Sequence, residues 1–171
     1  KKDESLKIDD EVFLVLIKRL LYLQNNNCSL GFMLSLEEIK EINEGTMMES
    51  LGIEYLDLRE GFVYARMYVK KELSQPYGML HGGASMAMAE SVGGVGSAYY
   101  LGIKDYIIRG MQFSANHVKA AKVGTYVYAK ATIIHKGRQT HVWNIDIKNE
   151  DNELVSSCRL TNFIMQSRTQ H

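Results

Sequence analysis

Residues 75 to 90 read Gln75-Pro76-Tyr77-Gly78-Met79-Leu80-His81-Gly82-Gly83-Ala84-Ser85-Met86-Ala87-Met88-Ala89-Glu90. Pro76, the only proline in the chain, leads into a turn, and His-Gly-Gly then opens an apolar run. The glycines allow a sharp change of direction and leave their amides uncovered by side chains. Small helix formers follow, so the pattern predicts a helix from His81 to Leu101 whose first N–H groups lack intrahelical partners. Such a helix start attracts developing negative charge. Glu90, nine residues after the histidine and flanked by alanine and serine, is a poor solubility device and a plausible reagent. Beyond it, Gly93, Gly94 and Gly96 sit badly in a helix interior, at about 1 kcal/mol each against alanine. Glycines there let a neighbour approach closely, which suits a helix wrapped by sheet and lying at a subunit contact.

Outward from this helix the signals are those of strands. Phe62 to Val69 and Thr125 to Ile134 are β-rich, and Ile107 to Val118 makes another strand. His141 to Ile147 alternates, with Val142, Asn144 and Asp146 on one face and Trp143, Ile145 and Ile147 on the other. Asn149 to Asn152 is a turn before the last strand, Leu154 to Met165. Ser35-Leu36-Glu37-Glu38 fits a capping box that starts a short helix ending near Gly45. Strands before and after one long helix predict an α+β fold with an antiparallel sheet.

The 171 residues suit one domain. Acidic and basic residues balance at 20 each, so charge argues for neither nucleic acid nor an anionic membrane as partner. Glu11 to Leu23 reads as a helix with one narrow polar wedge, and its apolar stretch Val12 to Ile17 is too short to span a bilayer. No cleavage site of signal-peptide type follows it. Residues 1–34 are therefore read as an N-terminal helical extension and 35–171 as the main domain. Cys28 and Cys158 lie 130 positions apart without metal-ligand spacing, which predicts reduced thiols in a cytoplasmic protein. The five histidines form no metal-ligand grouping either, so no metal is expected.

The ordered set Gln-Pro-aromatic-Gly-x-Leu-His-Gly-Gly-Ala, then Ala-Glu-Ser, resembles the hotdog-fold acyl-CoA thioesterases of the PaaI type. The nearest subgroup acts on aromatic acyl thioesters such as 1,4-dihydroxy-2-naphthoyl-CoA. The resemblance continues through Ser114 to Val118, Lys136-Gly137-Arg138 with Val142-Trp143, and Ser156 to Thr161, covering roughly residues 35 to 165. It implies an antiparallel sheet wrapped around one long central helix. It also implies a homodimer or homotetramer with active sites at the subunit interface. The expected reaction is hydrolysis of an acyl-CoA, the acyl group aromatic or medium-chain, with coenzyme A as part of the substrate and no separate cofactor.

Carried onto this chain, the resemblance makes Glu90 the nucleophile or general base, a choice the sequence leaves open. Gly82 supplies the amide that polarises the thioester carbonyl, a donor of a kind worth about 3 kcal/mol of barrier. His81 and Gln75 position that carbonyl, although His81 could merely cap the helix. Gly83, Ser97 and His117 are expected to line the substrate site, and Lys136 and Arg138, with Lys119 and Lys122 nearby, to meet the coenzyme's phosphates. His135 and His141 are read as ordinary strand residues. One departure stands out. Relatives place Ser or Thr four residues after the glutamate to hold water, whereas this chain has Gly94, so Ser97 is a candidate substitute. Two rival readings are a non-catalytic acyl-CoA-binding hotdog protein and a hotdog dehydratase or hydratase. A regulator of the first kind needs a DNA-binding unit, for which about 34 preceding residues are too few. The second uses a different arrangement of His and acid.

Overall fold

The computed structural model describes residues 34–101 and 106–167. The Glu11–Leu23 helix and Cys28 lie outside the described residues. Ser35 caps the first helix, α1 (Leu36–Asn43): its hydroxyl accepts from Glu38 N–H at 3.1 Å and the Glu38 carboxylate accepts from Ser35 N–H at 2.7 Å. A second short helix, α2 (Met47–Leu51), was not foreseen; it ends on Gly52 in the left-handed region at φ 72°. Then come β1 (Ile53–Arg59), β2 (Phe62–Tyr68), a 3-10 turn (Lys71–Leu73), the long helix α3 (Gly82–Leu101), β3 (Tyr106–His117), β4 (Tyr126–Lys136), β5 (Thr140–Asn149) and β6 (Leu154–Gln166).

All the strand pairs are antiparallel, and the six strands lie in the order β1-β2-β4-β5-β6-β3. Alternation explains the core. Val63, Ala65 and Met67 of β2, Val127, Ala129 and Ala131 of β4, and Trp143, Ile145 and Ile147 of β5 are all fully buried on one face. Against them lies α3, whose buried residues Ser85, Met88, Ala89, Val92, Gly93, Gly96 and Ser97 recur at three- and four-residue spacing. The expected sheet wrapped around one central helix is therefore present.

Two of the three mid-helix glycines are steric necessities. A Cβ on Gly93 would come within 2.6 Å of Leu160 Cδ2, and one on Gly96 within 2.5 Å of the Trp143 ring. At Gly94 a Cβ would meet nothing within 4 Å. A buried polar knot adds direction to this packing. Ser97 Oγ accepts from Trp143 Nε1 and from Asn162 Nδ2, both at 2.9 Å, and Asn162 Nδ2 also donates to Gly93 O at 3.1 Å.

β3 and β1 are the sheet edges, and along the outer side of β3 no strand is paired among the described residues. A free twelve-residue edge is a surface that soluble proteins cover or pair. Met111 is the extra residue of a bulge, because Gly110 faces Asn162 while Gln112 faces Thr161.

Candidate active site

The turn before α3 follows from its residues. Gly78, at φ 73°, donates to Gln75 O at 3.0 Å, and Gln75 N–H donates to Met79 O at 2.8 Å. The segment is then sewn to its neighbours: Leu80 N–H bonds Ala121 O and His81 N–H bonds Leu73 O, each at 2.8 Å. These anchors set the point where α3 begins. Gln75 is half-buried in this turn, with its backbone held and its side chain given no hydrogen bond among the described residues.

His81 acts as the cap. Its Nδ1 accepts from Gly83 N–H at 2.9 Å, and its carbonyl accepts from Ala84 and Ser85 N–H. The Gly83 amide, expected to meet substrate, is thus already engaged. Gly82 N–H is left without a partner among the described residues. Against Gly82 lies His117 from the end of β3, whose Nε2 would stand 3.0 Å from a Cβ at that glycine. Ser85, one turn into α3 and overlooked in the sequence, donates to Gly82 O at 2.8 Å and lies 3.4 Å from His117 Nδ1. With the hydroxyl proton spent on Gly82 O, Nδ1 carries the imidazole proton in that contact. The signal for Ser85 was its three-residue spacing from Gly82 on one helix face.

Glu90 is exposed and has no hydrogen-bond or ion-pair partner among the described residues. Its carboxylate rests over Gly110, where a Cβ would collide with Oε1. A side chain at Gly110 would displace the carboxylate from this position. Glu90 and Gly82 are not neighbours in one chain. Eight residues of helix separate them, about 12 Å of rise. Their β3 partners, Gly110 and His117, are farther apart still, roughly 20 Å of extended strand.

The remaining candidates fall elsewhere. Ser97 is fully buried, and its oxygen already accepts the two N–H groups of the knot with Trp143 and Asn162. Lys136 and Arg138 lie at the β4–β5 turn beside a cavity of about 820 Å³. Lys136 Nζ stands 3.9 Å from the Tyr100 ring centre and 3.5 Å from Glu60. This cavity is level with the last turn of α3, about 15 Å of helix beyond Glu90. Lys119 pairs with Glu153. His141 is buried against Tyr100, with Nδ1 unpartnered; burial first, then Lys136 and His135, hold its pKa below the usual value. Cys158 is a buried free thiol whose pKa burial raises. Among the described residues no group of three His, Cys, Asp or Glu side chains could hold a metal, and no helix is long and apolar enough to cross a membrane.

The fold agrees with that of the relatives. The model of the Thioesterase superfamily matches residues 77–156. The chain is 35% identical over 132 residues to the 1,4-dihydroxy-2-naphthoyl-CoA hydrolase of Escherichia coli (strain K12), covering 77% of this chain and 96% of that protein. It is 37% identical over 133 residues to the proofreading thioesterase EntH of Cronobacter turicensis, covering 77% and 95%. Among solved structures, a thioesterase of Haemophilus influenzae superposes with a TM-score of 0.75 at 34% identity, covering 82% of this chain and 96% of that one. The chain belongs to the thioesterase superfamily, and within it to the hotdog-fold acyl-CoA thioester hydrolases.

Proposed function

We propose that this chain hydrolyses an aromatic or medium-chain acyl-CoA at two equivalent sites shared between the subunits of a homodimer. The carbonyl is polarised by Gly82 N–H of one subunit and attacked under the control of Glu90 of the other. The observation that carries this reading is the 12 Å of helix between an unpaired amide and an unpaired carboxylate. A thioester oxygen must sit about 3 Å from its donor, and the reacting atoms about 3 Å from each other. One chain does not bring its own two groups to one carbonyl, but a two-fold axis does. The midpoint between Gly82 and Glu90 on α3 is Met86, which is 37% exposed. The midpoint between their β3 neighbours, Gly110 and His117, falls at Phe113–Ser114, on the free sheet edge. Antiparallel pairing of two β3 edges about that point would bring each Glu90 towards Gly82 and His117 of the partner subunit.

In the reaction the C–S bond breaks and water supplies the new C–O bond, giving a carboxylate, a proton and the coenzyme A thiol. Glu90 either takes a proton from that water or first forms an anhydride that water opens. Gly82 N–H and the α3 dipole stabilise the oxyanion in both routes. Gln75 and His81 hold the turn that sets the amide, and Lys136, which would have to leave Glu60, and Arg138 are the cations assigned to the phosphates. The chemistry requires no metal or added cofactor. The test is release of free thiol from benzoyl-CoA by the parent and by Glu90→Gln. The variant keeps the shape of the acid, and a loss of about a hundredfold or more is expected. Activity within about threefold of the parent would remove Glu90 from the mechanism.

A further inference from the structure

Ser85 is 1% exposed on α3 and touches two groups of the Gly82 half-site at once. Its hydroxyl donates to Gly82 O at 2.8 Å and stands 3.4 Å from His117 Nδ1. A hydroxyl has one proton to give, so towards His117 it accepts, and Nδ1 carries the imidazole proton. The consequence lies on the other side of the ring. In a neutral imidazole, a proton held on Nδ1 leaves Nε2 with a bare lone pair.

Nε2 is also the ring atom nearest Gly82, 3.0 Å from where a Cβ would stand, followed by Cδ2 at 3.2 Å and Cε1 at 3.4 Å. The ring therefore meets the residue of the oxyanion amide edge-on, acceptor first. The backbone beneath it is fixed, because His117 pairs with Ser156 of β6 and Val118 N–H bonds Val155 O at 2.9 Å. An acceptor placed here does nothing for an oxyanion, which needs donors. It suits a donor carried by the substrate. Beside the thioester of an acyl-CoA that donor is the amide N–H of the coenzyme arm, two carbons from the sulfur; a benzoyl group carries none.

We propose that His117 Nε2 accepts the coenzyme-arm amide N–H nearest the sulfur, and that Ser85 is the positioning residue that holds the ring in the tautomer able to do so. The proposal rests on the role given to Gly82 above. Gly82 and Glu90 address the thioester itself, whereas Ser85 and His117 read the arm attached to it. The site thereby distinguishes a coenzyme A thioester from one whose arm lacks that amide.

The experiment compares thiol release from two short benzoyl thioesters, one of N-acetylcysteamine and one in which oxygen replaces the N–H of the same arm. The parent should favour the amide arm about tenfold in kcat/KM, the scale of one hydrogen bond exchanged for an acceptor facing a lone pair. Ser85→Ala keeps a good helix former but frees the ring to take either tautomer, so the ratio should fall to within about twofold of unity. His117→Asn keeps an N–H near the Nδ1 position and has no atom at Nε2, so it should do the same. On benzoyl-CoA each variant should raise KM severalfold more than it lowers kcat, because the contact is made before and during reaction alike. The double variant should be no worse than the worse single one. A parent that treats the two arms alike would overturn the proposal, and a preference that survives Ser85→Ala would remove Ser85 from it. If benzoyl-CoA is cleaved but neither short ester is, the KM values decide: a shared loss in the double variant supports the proposal and additive losses overturn it. A parent that releases thiol from no acyl-CoA would defeat the hydrolase reading first and this one with it.

Discussion

If each site takes Glu90 from one subunit and Gly82 from the other, two inactive variants should repair each other. The first is Glu90→Gln. The second is Gly82→Pro, which deletes the N–H at the first helical position, where the backbone accepts proline, and whose ring also presses on His117. Alone, the first should lose about a hundredfold and the second about the hundredfold to thousandfold typical of a missing oxyanion donor. After dissociation and random reassociation of equal amounts, half of the dimers carry one subunit of each kind. In such a dimer one site combines the intact Glu90 of the proline variant with the intact Gly82 of the glutamine variant. The other site carries both lesions. One good site of two in half of the dimers gives about a quarter of parental activity, provided the contact is isologous. Thiol release from benzoyl-CoA, with native mass spectrometry to count mixed dimers, reads this directly. The 12 Å of helix between the two groups makes any other source of recovery hard to find. Mixed dimers present at the expected fraction with no activity above the sum of the separate variants would refute the shared site.

Three further outcomes follow from the packing and the charges. Gly96→Ala forces a methyl into the Trp143 ring and should cost about 1–3 kcal/mol, whereas Gly94→Ala should be neutral or gain up to about 1 kcal/mol. Thermal melting of the pair tests this, and equal shifts would contradict the assigned roles of the two glycines. Ser97→Ala strands Trp143 Nε1–H and one Asn162 N–H in the core, at about 1–3 kcal/mol for each group, so melting should fall well before kcat does. A lower kcat at an unchanged melting temperature would restore Ser97 to the water-holding role. His141 is kept neutral by burial and by Lys136 and His135, so as pH falls below its unfolded value of about 6.5 the unfolded chain takes the proton and the folded chain resists it. Stability should therefore drop between pH 7 and 5, less steeply in His141→Asn; identical slopes would show that another group governs acid stability.

Periodicity revealed most of the fold because burial here is regular. The alternation of β5 puts Trp143, Ile145 and Ile147 in the core as their spacing indicated, and the Ser35 capping box places the start of α1. Two strands were expected before the long helix, but the range of β1 escaped for a specific reason. A bulge between Tyr55 and Asp57 shifts its alternation, so that Ile53 and Tyr55 and then Leu58 face inward, and no single period runs through the strand. α2 escaped because five residues are too few to display a helical period. The misfit of three glycines in one helix was legible, but their division was not. Only the positions of Leu160 and Trp143 separate the two that packing demands from the one that leaves space.

The candidate residues could be named from the sequence and their arrangement could not, for the same physical reason. Local spacing placed Gly82 at the helix start, and the histidine cap and the turn at Gln75 are contacts within a few residues, which a sequence can display. Whether Glu90 and Gly82 serve one carbonyl depends instead on the rigid rise of a helix, which fixes a distance that neither residue type reveals. The same holds for His117, which the end of β3 sets against Gly82, and for Gly110, over which the Glu90 carboxylate rests. Each group of the proposed machinery then has its counterpart on the same free edge of the molecule. Gly82 with His117 forms one half-site and Glu90 with Gly110 the other, separated along α3 and along β3 in the same sense. In the homodimer proposed above, a chain with two unlike half-sites would complete neither alone, and would complete both when two copies pair in opposite directions. Dimerisation would then be the step that creates the active site, and activity should vanish on dilution below the dimer dissociation constant even while the monomer stays folded.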